Sequence, residues 1–273
     1  MNFDWLSSTN QNSKIANQRF VKLSVIIPAF NEERLLGDAL RTTAEAMGAF
    51  HRLGWQTELI VCDNNSTDRT AAIARAAGAT VVFDPVNSIA GARNTGAKAA
   101  SGDWFIFLDA DSQPSAELFG DVAAEIQSGR CIAGGVTGKL DTSHVIARLF
   151  MFLWNRLSRI RRLLAGWMMF CEAATFRSIQ GYDARLFVSE DIDISIRLRK
   201  LGRALGKRTV VLHRHPLLTS SRKVKLHGVW KHVWFVLKVA FTFGKPLVTT
   251  PVVASVVTNP PVAGPTWVKS PPM

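Results

Sequence analysis

The chain has little cysteine, no long uninterrupted apolar run, few acids in its second half and none of the glycine loops that cradle phosphates. Its three cysteines, Cys62, Cys131 and Cys171, lie far apart among apolar neighbours. That spacing excludes a disulfide framework or a zinc site and fits buried free thiols in a reducing cytoplasm. No stretch reads as a clean membrane span. The best, Val229 to Val253, is interrupted by Lys231, Lys238 and Lys245 and broken at Pro246, whereas a span needs roughly 20 apolar residues with few charges. Met1 to Phe20 is polar and lacks the apolar run of a secretory signal. No G-x-G-x-x-G follows the first apolar run, and no G-x-x-x-x-G-K-[ST] occurs anywhere. A nucleotide bound here is therefore expected to be held through carboxylates and a metal.

What is present is a chain long enough for one large α/β core, with a strong charge imbalance. Residues 1–138 hold 11 Lys/Arg against 15 Asp/Glu, a net of −4; residues 139–273 hold 22 against 6, a net of +16. The second half is expected to face something anionic, for which nucleic acid, an acidic membrane surface and a phosphorylated acceptor all qualify.

Short β-branched and apolar runs at Lys22–Pro28, Thr57–Cys62, Thr80–Phe83 and Trp104–Leu108 alternate with helical patterns at about 35–50, 69–77 and 91–100. This β-α-β-α-β-α-β order predicts a parallel, doubly wound sheet. Pro28 is expected to stop the first strand, with Asn31 capping the helix after it. Pro114 is expected to open a helix to Gln127. Further on, the pattern predicts an irregular strand over 132–140, an amphipathic helix over 144–164 and a short helix over 172–179. A helix over 190–201 and a strand over 209–212 follow. The 144–164 helix is read as packing through Ile146, Leu149, Phe150, Leu153, Trp154, Leu157 and Ile160. A second basic amphipathic helix is read over 224–243.

The carboxylates sit at strand ends. Asp109 and Asp111 follow the buried run Trp104–Leu108, and Asp63 follows the second strand. In open α/β sheets ligands bind at the carboxyl edge, and two carboxylates there suit a divalent cation that also holds phosphate. A bland alternative is a pair of loop acids capping the next helix; for Asp63 it is an Asx turn.

The stretches Leu23–Glu33, Asp63–Thr70, Gly91–Gly96 with Asp103–Asp111, and Ser189-Glu190-Asp191 together resemble glycosyltransferase family 2. The resemblance covers about residues 22–215. It implies the GT-A fold, a Rossmann-like, mostly parallel central sheet with helices on both faces, here joined by basic amphipathic helices in the second half. It implies an inverting enzyme that moves one sugar from a UDP- or GDP-linked donor to an acceptor hydroxyl, with Mn²⁺ or Mg²⁺ as cofactor. Pro28, Ala29, Phe30 and Glu32 resemble the loop under the nucleoside, and Asp63 the acid that meets the base. Asn64 and Asn65 replace the family's frequent Asp-Gly, and Asn tolerates the positive φ such a turn needs. Arg93, beside Asn94, is expected near the donor diphosphate and Asp109 near the ribose. The metal falls to Asp111 with one of His213 and His215, His213 being preferred. Gly166, Trp167 and Glu190 are expected on the acceptor side, Arg222 at the diphosphate, and Asp191 as the general base. Acids at 190 and 191 also suit the positive end of a helix whatever their chemistry. Asp193 would point elsewhere.

The Q-x-x-R-W motif of processive synthases is absent, which points to transfer of a single sugar. The expected organisation is a flexible arm over 1–21, a GT-A domain over 22–245 and a Pro-rich irregular tail over 246–273. Within the domain, 22–112 would bind the nucleotide sugar and 113–245 the acceptor. The two basic helices suggest a peripheral position on the inner face of a membrane and a lipid-linked acceptor, with no nucleic-acid partner. Two other functions carry weight: a catalytically silent GT-A-like module, and a nucleotidyltransferase.

Overall fold

The computed structural model describes residues 21–164, 167–186 and 189–220. Residues 1–20, Gly166, Arg222, the helix expected over 224–243 and the tail lie outside the described residues. Eight strands form one sheet in the order β3-β2-β1-β4-β7-β6-β8-β5. They are β1 Lys22–Ala29, β2 Gln56–Asp63, β3 Thr80–Phe83, β4 Trp104–Leu108, β5 Ser112–Gln113, β6 Cys131–Leu140, β7 Met168–Glu172 and β8 Arg208–Thr219. The helices are α1 Leu36–His51, α2 Thr70–Ala76, α3 Ile89–Ala99, α4 Ala116–Gln127, α5 Val145–Arg161, α6 Ala173–Ser178 and α7 Glu190–Ala204.

Strands β1 to β4 pair in parallel, with β3 at the exposed edge; β1 and β4 are buried along almost their whole length, as strands covered on both faces by crossover helices are. Side chains alternate across β1. Val25 and Ile27 join Leu36, Leu40 and Phe50 of α1, Ala74 of α2 and Phe119 of α4 on one face. Ile26 joins Ala90 and Ala97 of α3, Phe176 of α6 and Ile194 and Leu198 of α7 on the other. The chain winds one way from β1 to β3 and the other way from β4, so the crevice between the ends of β1 and β4 is the switch point where such sheets bind ligands. Helix α3 reaches this edge because Gly96 packs straight onto the Ile26 side chain, with no room for a Cβ. The three cysteines are free and buried, and burial pushes the Cys62 and Cys131 thiols up to about 12.

Several expectations need correcting. Pro28 does not end β1: it pairs with Cys62, and the strand runs to Ala29. Asn31 is not the cap of α1, which starts at Leu36; its φ is 52° and its Oδ1 accepts from the Thr67 amide, tying the loops after β1 and β2 together. Helix α4 starts after Ser115, whose Oγ accepts from the Leu118 amide, not at Pro114. Met168–Glu172, not anticipated as a strand, is β7, antiparallel between β4 and β6. His213 to Pro216 do not follow the last strand but lie inside β8. Pro216 is tolerated there because the β6–β8 register shifts between Leu212 and Leu217, and a bulge spares the missing N–H.

Helix α5 is also turned from its expected orientation. It buries Ala147, Met151, Trp154 and Ser158, with Asn155 anchored to both backbone polar groups of Gly138. Ile146, Leu149, Leu153 and Ile160, read as core, are exposed. Among the described residues no helix is long and apolar enough to cross a membrane.

Candidate active site

Three strand ends converge at the switch point. Ala29 and Asp63 pair across the ends of β1 and β2, and Asp109 leaves β4 next to them. The Asn64 amide donates to the Ala29 carbonyl at 2.8 Å. Asp63 Oδ1 accepts from the Ser66 amide at 3.0 Å, and Asn65 takes φ 65°, so the turn forms without glycine as expected. Asp63 thus makes the Asx-type contact. Glu32 is buried; its amide donates to Thr70 Oγ1 at 2.8 Å, and its carbonyl accepts from Leu35 and Leu36. Pro28 and Ala29 thus close β1, and Phe30 and Glu32 follow in the loop that Glu32 ties to Thr70.

The Asp109–Asp111 loop is clamped from two sides. The Asp109 amide donates to the Trp167 carbonyl at 3.0 Å, and the Ser220 amide donates to the Asp111 carbonyl at 3.3 Å. Both carboxylates are largely buried. Trp167 is itself wedged against Gly138, where a Cβ would stand 2.6 Å from the indole.

Arg93 organises the site. Its side chain is 5 % exposed; Nη2 donates to Asp109 Oδ1 at 3.1 Å and Nη1 to Asp191 Oδ1 at 2.9 Å, with Glu190 Oε1 at 3.8 Å. The guanidinium also lies 5.1 Å from the Tyr182 ring centre. Burial works against its charge, but Asp191, Tyr182, Asp109 and Glu190 outweigh it, so its pKa is raised. Arg93, expected near the donor diphosphate, is buried here as a brace between the acid after β4 and the acids that start α7. Asn94 is likewise structural: its amide group holds both backbone polar groups of Tyr182, at 2.8 and 2.9 Å.

The start of α7 holds the remaining acids. Asp191 keeps 23 % of its side chain exposed. Glu190, expected on the acceptor side, is buried beside Arg93 and Asp191. Burial first, then the neighbouring Asp191, lift its carboxyl to about 7 against the pull of Arg93. Asp193 turns away and pairs with Arg197 at 2.6 Å.

The histidine expected at the metal is placed elsewhere. His213 is exposed and lines a surface cavity of about 570 Å³ with Asp121, Arg159 and Arg162. Asp111 adjoins β5, which pairs with the far end of β8 at Leu218 and Thr219. His215 pairs with Asp121 at 2.9 Å. Among the described residues, no three His, Cys, Asp or Glu side chains group to hold an ion. Sequence reasoning missed Tyr182. Its signal was rarity: it is the one tyrosine in the chain.

Residues 24–180, more than half of the chain, match the model of Glycosyl transferase family 2. An undecaprenyl-phosphate 4-deoxy-4-formamido-L-arabinose transferase of Pseudomonas fluorescens is 33% identical over 129 residues, covering 44% of this chain and 37% of the relative. The chain spans less than two thirds of the length of the curated relatives it matches. Mannosyltransferase PcManGT from Pyrobaculum calidifontis, solved with GDP-Man and Mn²⁺, superposes with a TM-score of 0.64 at 16% identity, covering 87% of this chain and 70% of that one. S. aureus TarS 1–349 in complex with UDP-GlcNAc gives 0.57 at 20% identity, covering 78% and 65%. These likenesses show the fold. With strand ends, acids and brace in place on such a sheet, the chain belongs to glycosyl transferase family 2 and has the GT-A fold.

Proposed function

We propose that the protein is an inverting transferase that moves one sugar from a UDP- or GDP-linked donor to the hydroxyl of a lipid-linked acceptor, with a divalent cation. The observation that carries this reading is the Arg93 brace, which joins Asp109 to Asp191 from opposite sides of the crevice. The donor nucleoside would lie over Pro28–Glu32, with Asp63 toward the base and Asp109 toward the ribose. Asp111 fits a hard cation of the Mn²⁺ or Mg²⁺ type, which commonly takes one or two protein carboxylates and completes its shell with phosphate and water. When bound, such an ion supplies Lewis-acid neutralisation of the departing diphosphate.

Asp191 accepts the proton of the acceptor hydroxyl as that oxygen bonds to the anomeric carbon and the bond to the diphosphate breaks. Inversion needs the base on the face opposite the leaving group, the logic of an inverting hydrolase with the acceptor in place of water. Arg93 holds that carboxylate in one orientation, and the Asn94–Tyr182 contact holds the chain leading to it. The lipid-linked acceptor is suggested by the relative named an undecaprenyl-phosphate transferase, and the two donor classes by the ligands named for the solved neighbours. The family match favours transfer over the silent module and the nucleotidyltransferase.

Calorimetry with UDP and GDP, with and without Mn²⁺, tests the donor side; binding of neither in the presence of Mn²⁺ would overturn it. Release of the nucleoside diphosphate from the matching nucleotide sugar should start only when a lipid-linked acceptor bearing a free hydroxyl is added. A product whose anomeric configuration matches the donor's would exclude inversion.

A further inference from the structure

Helix α5 is apolar on two opposite sides. Ala147, Met151, Trp154 and Ser158 face the protein. Val145, Ile146, Leu149, Phe152, Leu153 and Ile160 stand between 43% and 75% exposed and fall within an arc of about 120° on the other side, at 3.6 residues per turn. A helix with one buried stripe should be polar opposite it, so this outer stripe is matched to something apolar. Its setting is basic. Arg156 lies within the arc, Arg148 and Arg159 flank it, and Arg161 and Arg162 close its end. No acidic residue occurs between Asp141 and Glu172.

We propose that this face docks α5 into the interface of an anionic lipid membrane, the stripe entering the acyl boundary and the arginines meeting the headgroups. Charge selects this occupant. A second copy of the chain packed through the same face would set the two arginine groups against each other. The chain's own residues 221–245 carry Arg222, Lys223, Lys225, Lys231, Lys238 and Lys245 and no acid, so they repel the same surface. An anionic bilayer complements both halves of the pattern.

The docking has a consequence for the site. Trp154, on the inner side of α5, packs with Ile192, next to Asp191, and with Trp167, next to the Asp109 loop. The helix would then stand between the bilayer and the crevice, about 10 Å thick, so that a lipid-linked acceptor reaches Asp191 around its edge. The docking face is independent of the transfer reaction, and either can fail without the other.

The test is co-sedimentation of the full chain with vesicles of phosphatidylcholine and phosphatidylglycerol, against pure phosphatidylcholine, at low and high salt. The wild type should bind the mixed vesicles and weaken as salt screens the charges. Phe152→Glu with Leu153→Glu should lower binding at least about tenfold, and Arg156→Glu about fivefold or more. All three side chains are exposed, so the thermal midpoint should stay close to that of the wild type. A wild type that stays in solution with mixed vesicles at low salt would sink the proposal. So would a double variant that binds undiminished, which would assign the binding to another segment. A concentration-dependent dimer that these substitutions dissolve would assign the face to a second copy instead.

Discussion

Replacing Arg93 with methionine tests the brace directly. The substitution keeps most of the volume and removes the charge, leaving Asp109, Glu190 and Asp191 grouped without the cation that now lies 2.9 to 3.8 Å from each. Breaking a buried pair by removing one partner costs about 3–5 kcal/mol, because the abandoned charge stays buried. For a domain of this size that lowers the thermal midpoint on the order of 10 °C. The sign with pH follows from the acids. With no counter-ion, the cluster is relieved by taking up protons, so the penalty should be largest near pH 8 and shrink toward pH 5. Thermal unfolding of wild type and variant across that range measures it. A variant that melts within about 2 °C of the wild type at pH 8, or whose deficit grows on acidification, would refute the brace.

Asp191→Asn should keep donor binding and lower turnover by about 10²–10⁴-fold, read by single-turnover transfer beside calorimetry. Asp111→Asn should abolish most of the Mn²⁺-dependent thermal shift given by UDP or GDP, which for a ligand at a hundred times its Kd is about 2.7 kcal/mol. Glu190 is raised from the ordinary carboxylate value to about 7, mainly by burial. Its contribution to stability is therefore whole below about pH 4.5 and lost as pH rises through about 7. Glu190→Gln should match the wild type in acid and exceed it above pH 7, seen as a flatter profile of stability against pH. Gly138→Ala would push a Cβ into the Trp167 ring, cost about 1–3 kcal/mol and weaken donor binding by loosening the Asp109 loop, measurable by melting and calorimetry.

The parallel half of the sheet was legible because strands buried on both faces are continuous apolar runs, and Trp104–Leu108 is such a run with acids at its end. β7 was not, because Met168–Cys171 is too short an apolar run for periodicity to tell strand from helix, and Glu172 reads equally well as the start of α6. Inside β8, His213-Arg214-His215-Pro216 looked like a loop because proline breaks ladders; only the shifted register across from Val136 and Gly138 makes room for it. The core side of α5 was misread because a helix with two apolar sides offers a pattern two solutions, and tertiary packing chose the one with Trp154. The brace at Arg93 was not legible, because its partner Asp191 lies 98 residues away, and local spacing carries no information about that.

The antiparallel ladder between β4 and β7 runs unbroken from Trp104 opposite Glu172 to Leu108 opposite Met168, and β6 continues it. The acid-bearing and arginine-rich portions of the chain are thus stitched through one backbone seam. They cannot swing apart like jaws without tearing that seam.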